Sequence, residues 1–216
     1  MMTSADTAAE FTRRLNALRA GDRRIPMREI FALAKEFIGM QPAEIEALLE
    51  RPEHESRVGA VSIMDYQARS RSIPQTRRNE LYDLYVRRHD LIDTWDLVDR
   101  AAPSVVGGYL ADKPRDQLYV FARSENALER RTAIVATYAF IRRGDVEDTF
   151  DIAGILANDQ DALVHKAVGG WVREAGKRDP EQLHRFLDRH APTMPRAALR
   201  YAVEHLDQGV TIEPKA

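Results

Sequence analysis

Spacing of three and four between apolar residues runs through this chain from end to end and limits its fold more than any other feature. The stretches "MREIFALAKEFIG", "PAEIEALLE", "RVGAVSIMDYQAR", "QTRRNELYDLYVRRH", "RRTAIVATYAFIRR" and "VHKAVGGWVREAGK" all show it, as helices that bury one face must. No segment shows the alternation of a half-buried strand. Breaks are expected at Gly39 to Pro42, Ser72 to Pro74, Pro103 to Gly108, Gly144, Asn158 to Asp159, Asp179 to Pro180 and Pro192 to Pro195, where helix-ending glycines and prolines collect. The expected class is all-α.

Helices beginning near His54, Asp90, Asn126, Gln160 and Met194 recur at intervals of roughly 35 residues, each preceded by another helix, as in a solenoid of helical pairs. The echoes "ESRVGAV" (55–61), "ERRTAIV" (129–135) and "VHKAVGG" (164–170) each set a basic residue before a run of small ones. A curved solenoid of HEAT-like helical repeats, an α-α superhelix, is therefore expected, with a plain antiparallel bundle as the alternative. It would form a single domain over 1–216: an N-terminal helix and linker in 1–25, the repeats in 26–207 and a tail in 208–216. The second helices of stacked pairs line a concave surface. That surface would gather Arg57, the Asp93 to Asp99 segment, Arg130, Arg131, Lys166 and Arg173.

Composition narrows the chemistry. With 44% hydrophobic residues the 216-residue chain can bury a sizeable core. No apolar run is long enough to span a bilayer, and the opening "MMTSADTAAEFTRRLNAL" lacks the apolar core of a signal peptide, so a cytoplasmic location is expected. The absence of cysteine excludes disulfides, thiolate catalysis and cysteine-ligated zinc. A net charge of −2 argues against a uniformly basic nucleic-acid binder, yet 27 of the 32 basic residues are arginine, the side chain suited to bidentate phosphate contact. "HESRV" starts like a zinc-protease helix but has Val58 where the second histidine is needed. "VVGGY" and "AVGGW" lack the spacing of a phosphate loop and are expected to be a turn and a close helix contact. A standard hydrolase, kinase or dehydrogenase is not indicated.

The segment "DTWDLVD" (93–99) poses a physical problem. If one helix runs from Leu91 to Ala102, then Leu91, Trp95, Val98 and Ala102 share its buried stripe and Asp99 projects into it. A buried carboxylate costs about 1–3 kcal/mol or more unless paired. Arg131 repeats the anomaly between Val135 and Tyr138. Two explanations stay open on helical geometry alone: an internal ion pair, or a functional site.

Taken in order, "FALAKEFIGM", "HESRVGAVSIMD", "LIDTWDLVD", "ERRTAIV" and "HKAVGGWVREAGKRDP" resemble the AlkD-like alkylpurine DNA glycosylases, HEAT-like-repeat proteins of DNA alkylation repair. The similarity runs from about Pro26 to His205. The resemblance implies an N-glycosylase that releases N3- or N7-alkylated purines from double-stranded DNA without metal or organic cofactor. It implies that Asp99, four residues after Trp95, is the catalytic aspartate and that Arg131 contacts DNA near the lesion. Asp99 would then stabilise an oxocarbenium-like sugar or position water, and Trp95 would lie along the deoxyribose. Arg57, Arg130, Lys166 and Arg173 would bind phosphates, and the protein would act as a monomer away from membranes.

The chain departs from the family at Gly170, where an aromatic is expected; the tryptophan stands one place later, at Trp171. One residue is about 100° of helix. Trp171 is accordingly expected in the core stripe of Val164, Ala167, Val168 and Val172. The competing functional reading is a noncatalytic HEAT-like module that binds DNA structures or a protein.

Overall fold

The computed structural model describes residues 6–19 and 24–204, and these form helices and turns with no strand among them. The expected tail, 208–216, lies outside the described residues, as do residues 20–23 of the expected linker. The chain divides into two compact units, Met1–Tyr109 and Leu110–Ala216.

In the first unit, α1 (Ala8–Ala17), α2 (Met27–Glu36), α3 (Pro42–Leu49), α4 (His54–Arg69), α5 (Gln75–Arg87) and α6 (Trp95–Ala101) follow in order. A 3-10 turn at His89–Leu91 precedes α6 and a π-helical segment at Ala102–Gly107 follows it. The single turn α7 (Gly108–Leu110) leads to α8 (Asp116–Ala122), α9 (Ala127–Ala136), α10 (Tyr138–Ile141), α11 (Glu147–Ile155), α12 (Ala162–Gly176), α13 (Pro180–His190) and α14 (Arg196–Val203). Within each unit the pairs form two layers. In the first, α3 packs on α5 and α4 on α6; in the second, α8, α11 and α13 make one layer and α9, α12 and α14 the other. This is a helical-repeat fold: α4, α9, α12 and α14 start close to the expected His54, Asn126, Gln160 and Met194, whereas α6 starts at Trp95 and not at Asp90.

Local chemistry explains the boundaries. Asn126, Asp161 and Asp179 cap α9, α12 and α13 by accepting from Leu128, Leu163 and Gln182 backbone N–H groups. Pro42 and Pro180 occupy first-turn positions, where a missing N–H is harmless. Gly144 takes a φ of 84° in the turn after α10. The small residues of "ESRVGAV" let α4 be enclosed on nearly all sides: at Gly59 a Cβ would stand 2.3 Å from the Phe11 ring of α1.

Two expectations are corrected. The break at Pro103 to Gly108 is absent, and "VVGGY" is helical instead of a turn. Pro103 has no N–H to give the Asp99 carbonyl, so the ladder widens instead of stopping, and the Gly108 N–H bonds to the Pro103 carbonyl five residues back.

The α3–α5 contact is stapled by Glu46, which accepts from Arg87 at 2.6 and 2.9 Å and from Arg88 at 2.7 Å. These bonds, Arg87's first, hold its carboxyl at about 2. Because the folded value lies below the ordinary 4.5, the staple stabilises fully above that ordinary value and fades as pH falls towards 2. Glu46→Gln should therefore cost about 0.5–1 kcal/mol at neutral pH, a value discounted for the partly exposed side chains. In chemical denaturation the difference from the unaltered protein should vanish by about pH 2.

Candidate active site

The chain is extended at Thr94, with φ −141° and ψ 154°, so α6 starts at Trp95 and not at Leu91. That corrects the expected continuous helix and, with it, the burial of Asp99. Counted from Trp95, the inward residues are Leu97, Val98 and Ala101, each fully buried. Trp95 and Asp99, one turn apart, share the outward face: Trp95 is 52% exposed and Asp99 is also exposed, while Leu91 is only half-buried. Asp99 therefore stays hydrated and accessible to a ligand.

Arg131, by contrast, is 6% exposed, as its position in an apolar stripe implied. Its guanidinium donates to the Leu163 carbonyl at the start of α12. Arg57 is placed beside the Asp93 to Asp99 segment as the stacking of second helices required. It donates to the Leu49 and Arg51 carbonyls at 3.1 and 3.0 Å and pairs with Asp93. On the same side of α4, His54 Nε2 lies 2.9 Å from Asp96.

The other expected phosphate contacts are distributed differently. Arg130 makes a two-pronged pair with Asp159 at 2.6 and 3.0 Å and also donates to the Ser124 and Glu125 carbonyls. Burial alone would raise the Asp159 carboxyl, but the Arg130 bond and an N–H from Asp161 bring it below its ordinary value. Arg173 pairs with Glu204 and with Glu174. Lys166 is exposed, its ammonium 5.8 Å from the centre of the Tyr201 ring. In the second unit, Lys166 and Arg173 stand on one face of α12, but Arg130 is drawn to the turn before that helix.

Trp171 also differs from expectation. Val164, Ala167, Val168 and Val172 are buried, whereas Trp171 is half-buried at the edge of their stripe. Its ring lies 5.0 Å from that of Tyr138 at 39°, and Tyr138 is itself 37% exposed. The ring pair lies where α10 meets α12, and both rings keep part of their surface exposed. An aromatic at helical spacing resembles core, yet Tyr138, two turns after Arg131, belongs to this partly exposed ring pair.

The glycine pair divides its work. At Gly169 a Cβ would meet the Ala198 carbonyl at 2.3 Å, so the glycine is what lets α12 and α14 approach. At Gly170 a Cβ would meet nothing within 4 Å.

The described residues form a helical-repeat fold that exposes an aromatic residue, Trp95, and a carboxylate, Asp99, one turn apart. The match to the family model for DNA alkylation repair enzymes spans residues 11–206, and the chain belongs to that family. Among solved structures, it is similar to a predicted DNA alkylation repair enzyme from Enterococcus faecalis, with a TM-score of 0.69 at 18% identity over 96% of this chain and 98% of that one. At that identity the likeness is one of fold. No curated protein matches the chain. No helix among the described residues is long and apolar enough to cross a membrane.

The two neighbouring glycines should respond in opposite directions. Gly169→Ala should lower stability by about 1–3 kcal/mol through overpacking. Gly170→Ala should raise it by up to about 1 kcal/mol through helix propensity. Melting temperatures of both variants test the assignment of the α12–α14 contact.

Proposed function

We propose that this family member is a DNA N-glycosylase acting on purines alkylated at N3 or N7 in duplex DNA. The observation that supports it most is the exposed pair of Trp95 and Asp99 on one face of α6. An N3- or N7-alkylated purine carries a positive charge, so when the bond from C1′ to the base breaks, the electron pair neutralises the leaving group. No general acid is required. Positive charge then develops on the sugar, where the Asp99 carboxylate stabilises it and orients the water that adds to C1′, giving an abasic site and a proton released to solvent. The electron-rich face of Trp95 adds attraction for the same developing charge.

In this reading the assistance from cations is uneven. Lys166 is exposed and suits a phosphate. Arg57 in the first unit, and Arg130 and Arg173 in the second, already hold carboxylates, so each adds little net positive charge to the surface of its own unit. Arg131, nearly covered and bonded to Leu163, positions α9 and offers DNA only its outer edge.

The test is release of free base from methylated duplex DNA by the purified protein. Asp99→Asn should keep the fold and DNA binding while slowing release by about 10²–10³-fold, the loss typical of one electrostatic group. Unchanged release by the folded variant removes Asp99 from the mechanism. DNA binding without any base release by the unaltered protein supports the noncatalytic module instead.

A further inference from the structure

Helix α6 has only seven residues and its start carries no side-chain cap. The π-helical segment continues it without a break, but the regular bonding ladder fails at Pro103, so the direction in which Trp95 and Asp99 point depends on what holds α6 from behind. The main candidate is Arg100, the residue after Asp99. Its Nε donates to Ser62 Oγ at 3.1 Å and its Nη2 lies 3.2 Å from Asp65 Oδ2, both on α4. The guanidinium lies over two rings, 4.6 Å from the centre of Phe31 and 4.8 Å from that of Tyr66.

Asp65 is a demanding partner to have there. Its side chain is 6% exposed, and a carboxylate so enclosed needs matched donors. It accepts from Ser104 in the π-helical segment and pairs with Arg69 at 3.1 Å as well as with Arg100. One buried carboxylate thus grips the chain on both sides of Pro103, where the regular helix ladder fails. Towards the other end of α6, His54 and Arg57 hold Asp96 and Asp93. All of these groups, His54, Arg57, Ser62 and Asp65, come from one side of α4.

We infer that Arg100 is a positioning residue for the Trp95–Asp99 face: clamped to Asp65 and Ser62 and covered by Phe31 and Tyr66, it fixes the rotation of α6 about its axis. The inference rests on the glycosylase reading for its kinetic consequence, but not for its structural one. A planar fork that donates to Ser62, lies against the Asp65 carboxylate as an ion pair without hydrogen-bond alignment and is covered by two rings resists rotation in a way that a flexible ammonium cannot. Because the α6 helix is short, a small rotation moves Trp95 and Asp99 together relative to the sugar, and misplacement on the scale of 1 Å can cost about 10²-fold in rate.

The experiment uses Arg100→Met, which keeps an apolar stem against Phe31 and Tyr66 and removes the fork. It is made in a Trp171→Phe background, where Trp95 is the one remaining tryptophan of the two in the chain. Relative to that background, release of 7-methylguanine from methylated duplex DNA should show kcat reduced by about 10- to 100-fold with KM little changed. Quenching of Trp95 fluorescence by acrylamide should change as well. Arg100→Lys should recover part of kcat. Wild-type kcat in Arg100→Met overturns the inference, and so does a fall in kcat with Trp95 quenching unaltered, because the effect must run through the orientation of α6. If Arg100→Met does not fold, Arg100→Lys is measured in its place, with a reduced kcat and altered quenching supporting the inference and background values of either overturning it. If the unaltered protein releases no base, the glycosylase reading fails by itself. Positioning is then decided by quenching alone, a change supporting it and no change overturning it.

Discussion

The packing of α4 on α6 is the contact on which the site depends. Helix α4 is enclosed by α2, α3 and α6, which is why its sequence mixes Gly59, Ala60 and Ser62 with Val58, Val61, Ile63 and Met64. Close packing fixes the distance between helices but does little to fix rotation, since apolar contacts are not directional. The polar groups supply direction: His54, Arg57, Ser62 and Asp65 meet Asp96, Asp93 and Arg100 along the seam. The seam therefore combines a smooth apolar contact with a small number of directional bonds, and only the second kind can aim a side chain.

Much of the fold was legible in the sequence because helix ends leave chemical marks. Asn126, Asp161 and Asp179 cap, Pro42 and Pro180 open, and Gly144 turns, each where its residue type predicts. The site was legible as residues but not as geometry. Trp95 and Asp99 stand out in the sequence, yet the apolar spacing of Leu91 to Ala102 reads as one continuous helix and puts Asp99 inside its stripe. The extended backbone at Thr94 resets the phase. Threonine is a common residue immediately before a helix, so "DTWD" held a start signal that the apolar count outweighed. Pro103 misled in the opposite sense, since a proline inside a helical pattern usually ends it, whereas here it changes the ladder to five-residue spacing.

The arginine bias reads differently once partners are known. Arginine at high frequency in a chain of net charge −2 suggested phosphate contact, but Arg57, Arg87, Arg88, Arg100, Arg115, Arg130 and Arg173 each pair with a carboxylate of the same unit. The guanidinium fork is well suited to tie one repeat to the next, because it can bond a carboxylate and backbone carbonyls together, as Arg130 does with Asp159, Ser124 and Glu125. Charges paired in this way largely cancel in the long-range field, so these seven arginines add little to the attraction of DNA from a distance.

That cancellation bears on which substrates a face like α6 can serve. In the glycosylase reading, paired arginines add little non-specific affinity for the DNA backbone, so a larger share of the discrimination would come from the lesion. A cationic base supplies what the surface does not: it places positive charge next to the sugar, where an exposed carboxylate and an indole face both attract it. The same charge makes the base a good leaving group, so recognition and activation draw on one property of the substrate. A neutral lesion would offer neither, and would need a proton donor of the kind that glycoside hydrolases provide with a second carboxyl group. On α6, the outward face carries the Asp99 carboxylate beside Trp95, and Asp96 and Asp93 are paired with His54 and Arg57 on α4. In the glycosylase reading proposed above, the departure of a cationic purine asks for a single carboxylate beside the sugar, and Asp99 is the group on this face that would supply it.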